Sequence, residues 1–171
     1  MKGQSPAPPL DREATAIPPN RRTPFRLVVA CALLFSGGMV VTPSALADPV
    51  DNVRDAIVTA RGGTSCPPFT YNPIAEKAAA IVNKSTDDYI DHISTYQPIT
   101  DPMPGLKDLG YGGNKAVLLQ GALTNEADAI KGALLQGHAV IPDCSYTDLG
   151  IDVRLNEATN NILIVYLLAG A

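Results

Sequence analysis

Residues 48–171 predict an α+β fold, a three-layer α-β-α sandwich in which a small antiparallel sheet carries helices on both faces. Three observations lead there. Two apolar stretches carry an Asx-Pro start, and a third has Thr124 or Asn125 before it and Gly137 after it, all with apolar residues at helical spacing. The chain ends in two aliphatic runs, Gly150 to Leu155 and Asn161 to Leu168, separated by the polar connection Asn156 to Asn160. The last run is apolar almost throughout, which suits a central strand covered on both faces, so helices must supply two outer layers.

The first 47 residues read as a targeting segment. Arg21, Arg22 and Arg26 precede an apolar run from Leu27 to Val41, and Thr42-Pro43-Ser44-Ala45-Leu46-Ala47 places small residues where a signal peptidase cuts. Cleavage after Ala47 is expected. The apolar run is shorter than the about 20 residues of a spanning helix and is broken by Ser36-Gly37-Gly38, so a retained anchor is the lesser alternative. A twin-arginine signal and a lipobox at Cys31 both fit poorly, because the aromatic falls one place late and the cysteine falls near the start of the apolar run.

Removing the leader leaves 124 of the 171 residues, one small domain. It carries eight Lys or Arg against fifteen Asp or Glu. That balance argues against nucleic acid and against anionic lipid surfaces, and no stable membrane insertion of the mature chain is expected. A monomer is the simplest state. Only two cysteines remain, Cys66 and Cys144, and in an exported protein a disulfide between them follows by elimination, the alternative being two buried free thiols.

The elements follow in order. Asp48 caps and Pro49 begins a helix that places Val50, Val53, Ile57 and Ala60 on one face until Gly62-Gly63. Asn72 and Pro73 open a longer helix with an alanine-rich face, expected to end near His92. Residues 95 to 114 hold too many prolines and glycines for a helix or central strand and read as a long ordered loop. Ala116 to Gln120 is an edge strand or a buried turn. Residues 125 to 136 form the third helix, and the closing hairpin completes the sheet.

This order of elements resembles the CAP superfamily, or SCP domain, of cysteine-rich secretory proteins, venom antigens and plant pathogenesis-related proteins. The resembling pieces are Val53-Arg54 to Gly63, Cys66-Pro67-Pro68-Phe69-Thr70-Tyr71-Asn72-Pro73, Asp91-His92-Ile93-Ser94, Asn125 to Gly137-His138, and Tyr146-Thr147-Asp148-Leu149-Gly150-Ile151. The resemblance implies that His92 and His138 match two family histidines of a central cleft that binds a divalent metal in some members. The family's Gly-Glu-Asn corresponds to Gly112-Gly113-Asn114, with glycine in the glutamate's place, and the second glutamate has no match near Leu134 and Leu135.

Two imidazoles alone make a weak zinc site, for which three or four ligands are usual. Asp88 and Asp91 are the carboxylates near enough in sequence to add oxygen, although each also reads as a solvated charge. Each histidine equally reads as a residue at a helix C-terminus bonded to a carbonyl. Ser65, Ser85, Ser94 and Ser145 lie in no nucleophile elbow. Gly110 to Lys115 lacks the context of a phosphate loop, and Tyr96, Tyr111 and Tyr146 line a groove or simply pack at a rim. The expectation is an exported, non-catalytic binding or interaction module at the envelope or outside the cell, with no obligatory cofactor. Its partner would be a protein or an apolar small molecule. A divalent-metal-dependent hydrolase is the alternative, and so is a lipid or sterol carrier, which the family includes and for which the 95 to 109 loop lies in the corresponding place.

Overall fold

The computed structural model describes residues 49–171, so the leader and its cleavage point lie outside the described residues, as does the cap Asp48. Four helices, α1 (Pro49–Gly62), α2 (Pro73–Ile90), α3 (Met103–Asp108) and α4 (Glu126–Gln136), alternate with β1 (Thr70–Tyr71), β2 (Lys115–Leu123), β3 (Tyr146–Asn156) and β4 (Asn161–Gly170). The strands form one sheet in the order β1-β3-β4-β2. Pairing of β2 and β3 with β4 is antiparallel, whereas β1 lies parallel to β3, so the sheet is mixed and not wholly antiparallel.

The helix caps explain where two helices begin. Asn72 turns its side-chain oxygen to the backbone N–H groups of Ile74 and Ala75 at 2.9 and 3.3 Å, and Pro73 takes the first helical position, where no N–H is needed. Asn125, not Thr124, caps α4, accepting from the Asp128 N–H at 3.1 Å. Acidic Glu126 and Asp128 then suit the positive end of the helix dipole.

The expectation of an apolar central strand holds for β4, which is buried from Leu163 to Gly170. Alternate side chains feed two cores. Ile164, Tyr166 and Leu168 pack with Val53 and Ile57 of α1 and Ala129 and Ala133 of α4. Val165, Leu167 and Ala169 pack with Ala75, Ala78, Ala79 and Val82 of α2 and Leu106 of α3. Each large aliphatic side chain so buried contributes about 1.5–3 kcal/mol relative to exposure. Two buried polar side chains are matched: the Tyr166 hydroxyl donates to the Val53 carbonyl at 2.9 Å, and the Asn83 amide donates to the Leu163 carbonyl at 3.0 Å and to Asp152 at 2.8 Å, whereas the buried Arg154 Nε has no hydrogen-bond partner.

The alanine face of α2 permits a very close approach to the sheet. A Cβ added at Gly150 would lie 2.2 Å from the Ala75 carbonyl carbon and 2.3 Å from the Glu76 nitrogen. Those are backbone atoms that no rotamer change can move aside. Gly150→Ala is therefore expected to cost about 1–3 kcal/mol of stability or more, read as a lower urea midpoint with unchanged slope.

The structure corrects one local expectation, decides another and adds a strand. The 95 to 114 stretch does contain a short helix, α3, because Pro104 falls in its first turn, where proline is tolerated, and Asp101 accepts the Met103 N–H at 2.9 Å. Of the two readings of Ala116 to Gln120 the edge strand holds, since the run is the middle of the nine-residue β2 at one edge of the sheet. Thr70 and Tyr71 form a strand that only its pairing with Asp148 and Leu149 makes visible. The outer edge of β2 is partly closed as well. The Gln136 side chain accepts from the Gln120 N–H at 3.1 Å and donates to its carbonyl at 2.7 Å, taking the place of a neighbouring strand.

Candidate functional site

The structure places His92 and His138 in different layers. His92 is the second residue after α2, on the face of the sheet shared with α3, while His138 is the second residue after α4, on the face shared with α1. They also lie toward different ends of the sheet. The end of α2 is tied to Asn156 at the hairpin by Asp87 and Asp91, whereas the segment after His138 leads to Asp143 and Tyr146, beside Lys115 and Gly170.

Both histidines are exposed, and each is fixed by helix termination. The His92 backbone is left-handed, with φ of 59°. Its N–H bonds to the Tyr89 carbonyl at 3.2 Å and the Ile93 N–H bonds to the Asp88 carbonyl at 2.9 Å, so His92 occupies the position where a Schellman turn usually has glycine. His138 follows Gly137 in the turn after α4, its Nδ1 lying 3.3 Å from the Leu135 carbonyl.

The carboxylates considered as metal ligands are engaged elsewhere. Asp88 pairs with Lys84 at 2.7 Å, and Asp91 accepts from the buried Asn156 amide at 2.7 Å. Among the described residues no group of three or more His, Cys, Asp or Glu side chains converges on one point. Gly113, which the resemblance set against a glutamate, has no room for a side chain: a Cβ there would lie 2.2 Å from the Gly170 oxygen and 2.5 Å from the Tyr111 ring. At the second position, Leu134 packs partly into the core and Leu135 faces outward. These residues do not fit a divalent metal, so no chemistry is routed through one. In a calorimetric zinc titration, His92→Ala and His138→Ala are each expected to leave the heat of binding unchanged. His92→Gly should hold stability within about 1 kcal/mol, since glycine relieves the left-handed backbone while loosening the unfolded chain.

Ser145 comes nearest to a nucleophile in geometry. Its hydroxyl donates to Asp143 at 2.6 Å and accepts from the Lys115 ammonium, which also lies 3.2 Å from Asp143 and 3.9 Å from the centre of the Tyr146 ring. The Ser145 hydroxyl and N–H, followed by Lys115, lower the Asp143 carboxyl to about 2. A carboxylate so acidic is a poor base at neutral pH. The cluster closes the turn before β3.

The three tyrosines share no groove. Tyr111 is buried on the α2 and α3 side and donates to Asp148 at 2.5 Å, its hydroxyl pushed far up first by burial and then by that bond. Tyr146 packs against the core on the opposite face. Tyr96 is 83% exposed.

An apolar groove does exist, and no single motif announced it. After the turn at His92 the chain runs back beside α2, held where the Ile99 N–H bonds to the Ser85 hydroxyl at 3.1 Å. Between helix and loop lies a groove of about 300 Å³ lined by Ala78, Ile81 and Val82 on one side and Ile99, Pro102 and Pro104 on the other, with Asp101 at its rim. Ile81 is 45% and Ile99 36% exposed. Three more large apolar side chains are exposed on the last turn of α2 and the chain just after it, Tyr89, Ile93 (74% exposed) and Tyr96. The signal for it in the sequence was an isoleucine on the outer side of a helix and another in a proline-rich loop, each unremarked alone.

Comparison with known proteins gives little beyond this geometry. No protein-family model matches the chain, and no curated protein does. Among solved structures, the 1.5 Å crystal structure of an extracellular protein containing an SCP domain, from Bacillus anthracis str. Ames, is similar at 15% identity with a TM-score of 0.48. The similarity covers 71% of this chain and 40% of that one, so this chain spans less than half of that protein's length.

Proposed function

We propose that residues 48–171 form an exported, disulfide-stabilised domain of CAP type that acts without catalysis, as a binding or interaction module at the cell envelope or outside the cell. The apolar groove between α2 and the segment 99–105, which enters α3, is its binding site. The observation that carries this reading is the combination of Ile81 and Ile99, half-exposed across a groove whose walls are already set by helix packing and by prolines. Such a preformed apolar concavity is the usual form of a ligand or partner site. Further support comes from the resemblance in element order, the three-layer sandwich and the Cys66–Cys144 bridge.

The test is a titration with Nile red, a neutral apolar dye, followed by its emission. Saturable binding is expected, weakened about tenfold by Ile81→Asp or Ile99→Asp with the circular dichroism unchanged. Binding indifferent to both substitutions would move the site elsewhere. Ester or peptide hydrolysis that is abolished by His92→Ala or His138→Ala would replace a binding module with an enzyme.

A further inference from the structure

We propose that the free edge of β3 pairs with the same edge of a second copy of this chain, antiparallel and about a two-fold axis at Val153, so that the folded unit is a weak dimer and not the monomer expected from the sequence. This surface is separate from the groove beside α2. On one side β3 is bounded by β4, and on the other by β1, which reaches only Asp148 and Leu149. The Leu149 carbonyl accepts from the Asn72 N–H at 3.0 Å, which fixes the residues that face outward. Because backbone groups alternate along a strand, Ile151, Val153 and Leu155 turn their N–H and C=O groups to that same side, and among the described residues no strand pairs with them there. A row of unpaired groups in strand geometry selects another extended backbone. The opposite edge of the sheet differs, since at the middle of β2 the Gln136 side chain bonds to both backbone groups of Gln120.

The residues of the β3 edge are complementary to themselves. Read antiparallel about Val153, Ile151-Asp152-Val153-Arg154-Leu155 sets Ile151 opposite Leu155, Asp152 opposite Arg154 and Val153 opposite its own counterpart. The outward-facing residues 151, 153 and 155 then meet one another, as hydrogen-bonded pairs require. Asp152 and Arg154 fall in the non-hydrogen-bonded pairs, where side chains come closest. Two opposite-charge pairs result, one on each side of the axis. Within its own chain Arg154 is poorly satisfied: its Nε is buried without a hydrogen-bond partner, its ion pair to Asp87 is 3.8 Å long, and the side chain remains 35% exposed. Asp152 receives the Asn83 amide on Oδ2 at 2.8 Å, leaving Oδ1 for a second donor.

The other charges nearby have partners of their own, Asp87 and Asp91 with Asn156, and Glu126 with Asn52. On the face away from α2, Val153 and the 55% exposed Leu155 line an apolar groove with Pro49 and Ile162, and the pairing lays Ile151 of the second copy beside Leu155. The lengths also agree. β1 leaves the edge free beyond Leu149 and the hairpin turn begins after Asn156, so residues 150–156 match in full, Gly150 of one copy opposite Asn156 of the other. The acidic balance of the chain opposes close approach of two copies, which keeps the dimer weak.

Sedimentation equilibrium of the full chain, with residues 48–171 run beside it, reads the association. Both are expected to approach twice the monomer mass between about 10 and 500 µM, a range suited to so short a pairing. Val153→Pro removes an N–H that faces away from β4, and proline is tolerated on an edge strand, so the dimer should weaken at least about tenfold with the circular dichroism unchanged. Arg154→Glu and Asp152→Lys each set like charges opposite one another twice and should weaken it about tenfold. Mixed in equal amounts, these two variants regain both opposite-charge pairs and are expected to form a mixed dimer of about wild-type strength.

A chain that stays monomeric up to about 500 µM overturns the inference. Association that Val153→Pro leaves unchanged lies elsewhere on the molecule and overturns it too, as does association that needs residues 1–47. A mixture of the two charge variants no tighter than either alone rules out the two-fold register at Val153. If either charge variant loses its fold, Val153→Pro decides.

Discussion

Replacing Cys66 and Cys144 together by alanine is expected to lower the unfolding free energy by about 4 kcal/mol, on a model in which the bridge acts by restricting the unfolded chain. The two residues are 78 apart in sequence, with Cα atoms 5.1 Å apart in the fold. A closed loop of that length removes much of the freedom of the unfolded chain. The bridge also spans from the loop after α1 to the turn before β3, so it joins the α1 layer to the sheet. Urea unfolding of the oxidised wild type beside the double alanine variant measures the effect. A midpoint shift with a steeper slope in the variant is expected, because its unfolded state exposes more surface. A difference under about 1 kcal/mol would mean that the unfolded chain is already held compact by other contacts. Dithiothreitol should reproduce the variant's behaviour in the wild type and leave the variant itself unmoved.

How much of this was legible beforehand depended on whether the cause lay nearby in sequence. Asn72-Pro73 announces α2 because cap and helix start are neighbours, and Ile162 to Leu168 announces a central strand because both faces are apolar within one run. The disulfide could be read from the count of cysteines. The two-residue β1 and the six-residue α3 could not be read that way. The first is created by its pairing with β3, and the second is masked by Pro102 and Pro104, which read as breakers until their places at the N-cap and in the first turn are known. The histidines illustrate the same limit. Each follows a helix, as expected, but the order of elements does not reveal that α2 and α4 lie on opposite faces of the sheet. The groove depends on Ile99 folding back onto α2, a contact fixed by one serine hydroxyl fourteen residues away.

Arg61 is the residue that reads most misleadingly in the sequence, as an ordinary cation at a helix C-terminus, and Arg61→Met is expected to cost about 3–5 kcal/mol. Its side chain is 1% exposed. The guanidinium donates to the carbonyls of Pro67 at 2.9 Å, Asp143 at 3.1 Å and Tyr146 at 2.8 Å, and also to that of Ile141, while stacking 4.2 Å from the centre of the Phe69 ring. Burial pulls its pKa down, and the nearby Asp143 carboxylate works the other way. Methionine has a similar volume but no donor, so those carbonyls would lose their partner where water has little access. Arg61→Lys should lie between, because an ammonium keeps the charge but cannot reach carbonyls arranged around a planar fork. Acid should loosen the same region. With its carboxyl held near 2 in the fold against an ordinary value of 3.8, Asp143 contributes stability above about pH 4 that fades as the pH falls toward 2. Pro67 adjoins Cys66 and Asp143 adjoins Cys144, so Arg61 and the disulfide clamp the same two segments from either side. Once one clamp is removed those segments can separate, and the other has less to hold. The Arg61→Met change made in the cysteine-free background is therefore expected to cost less than in the wild type, by about 1 kcal/mol or more in a double-mutant cycle. Strict additivity would show that the two act on separate parts of the unfolding transition.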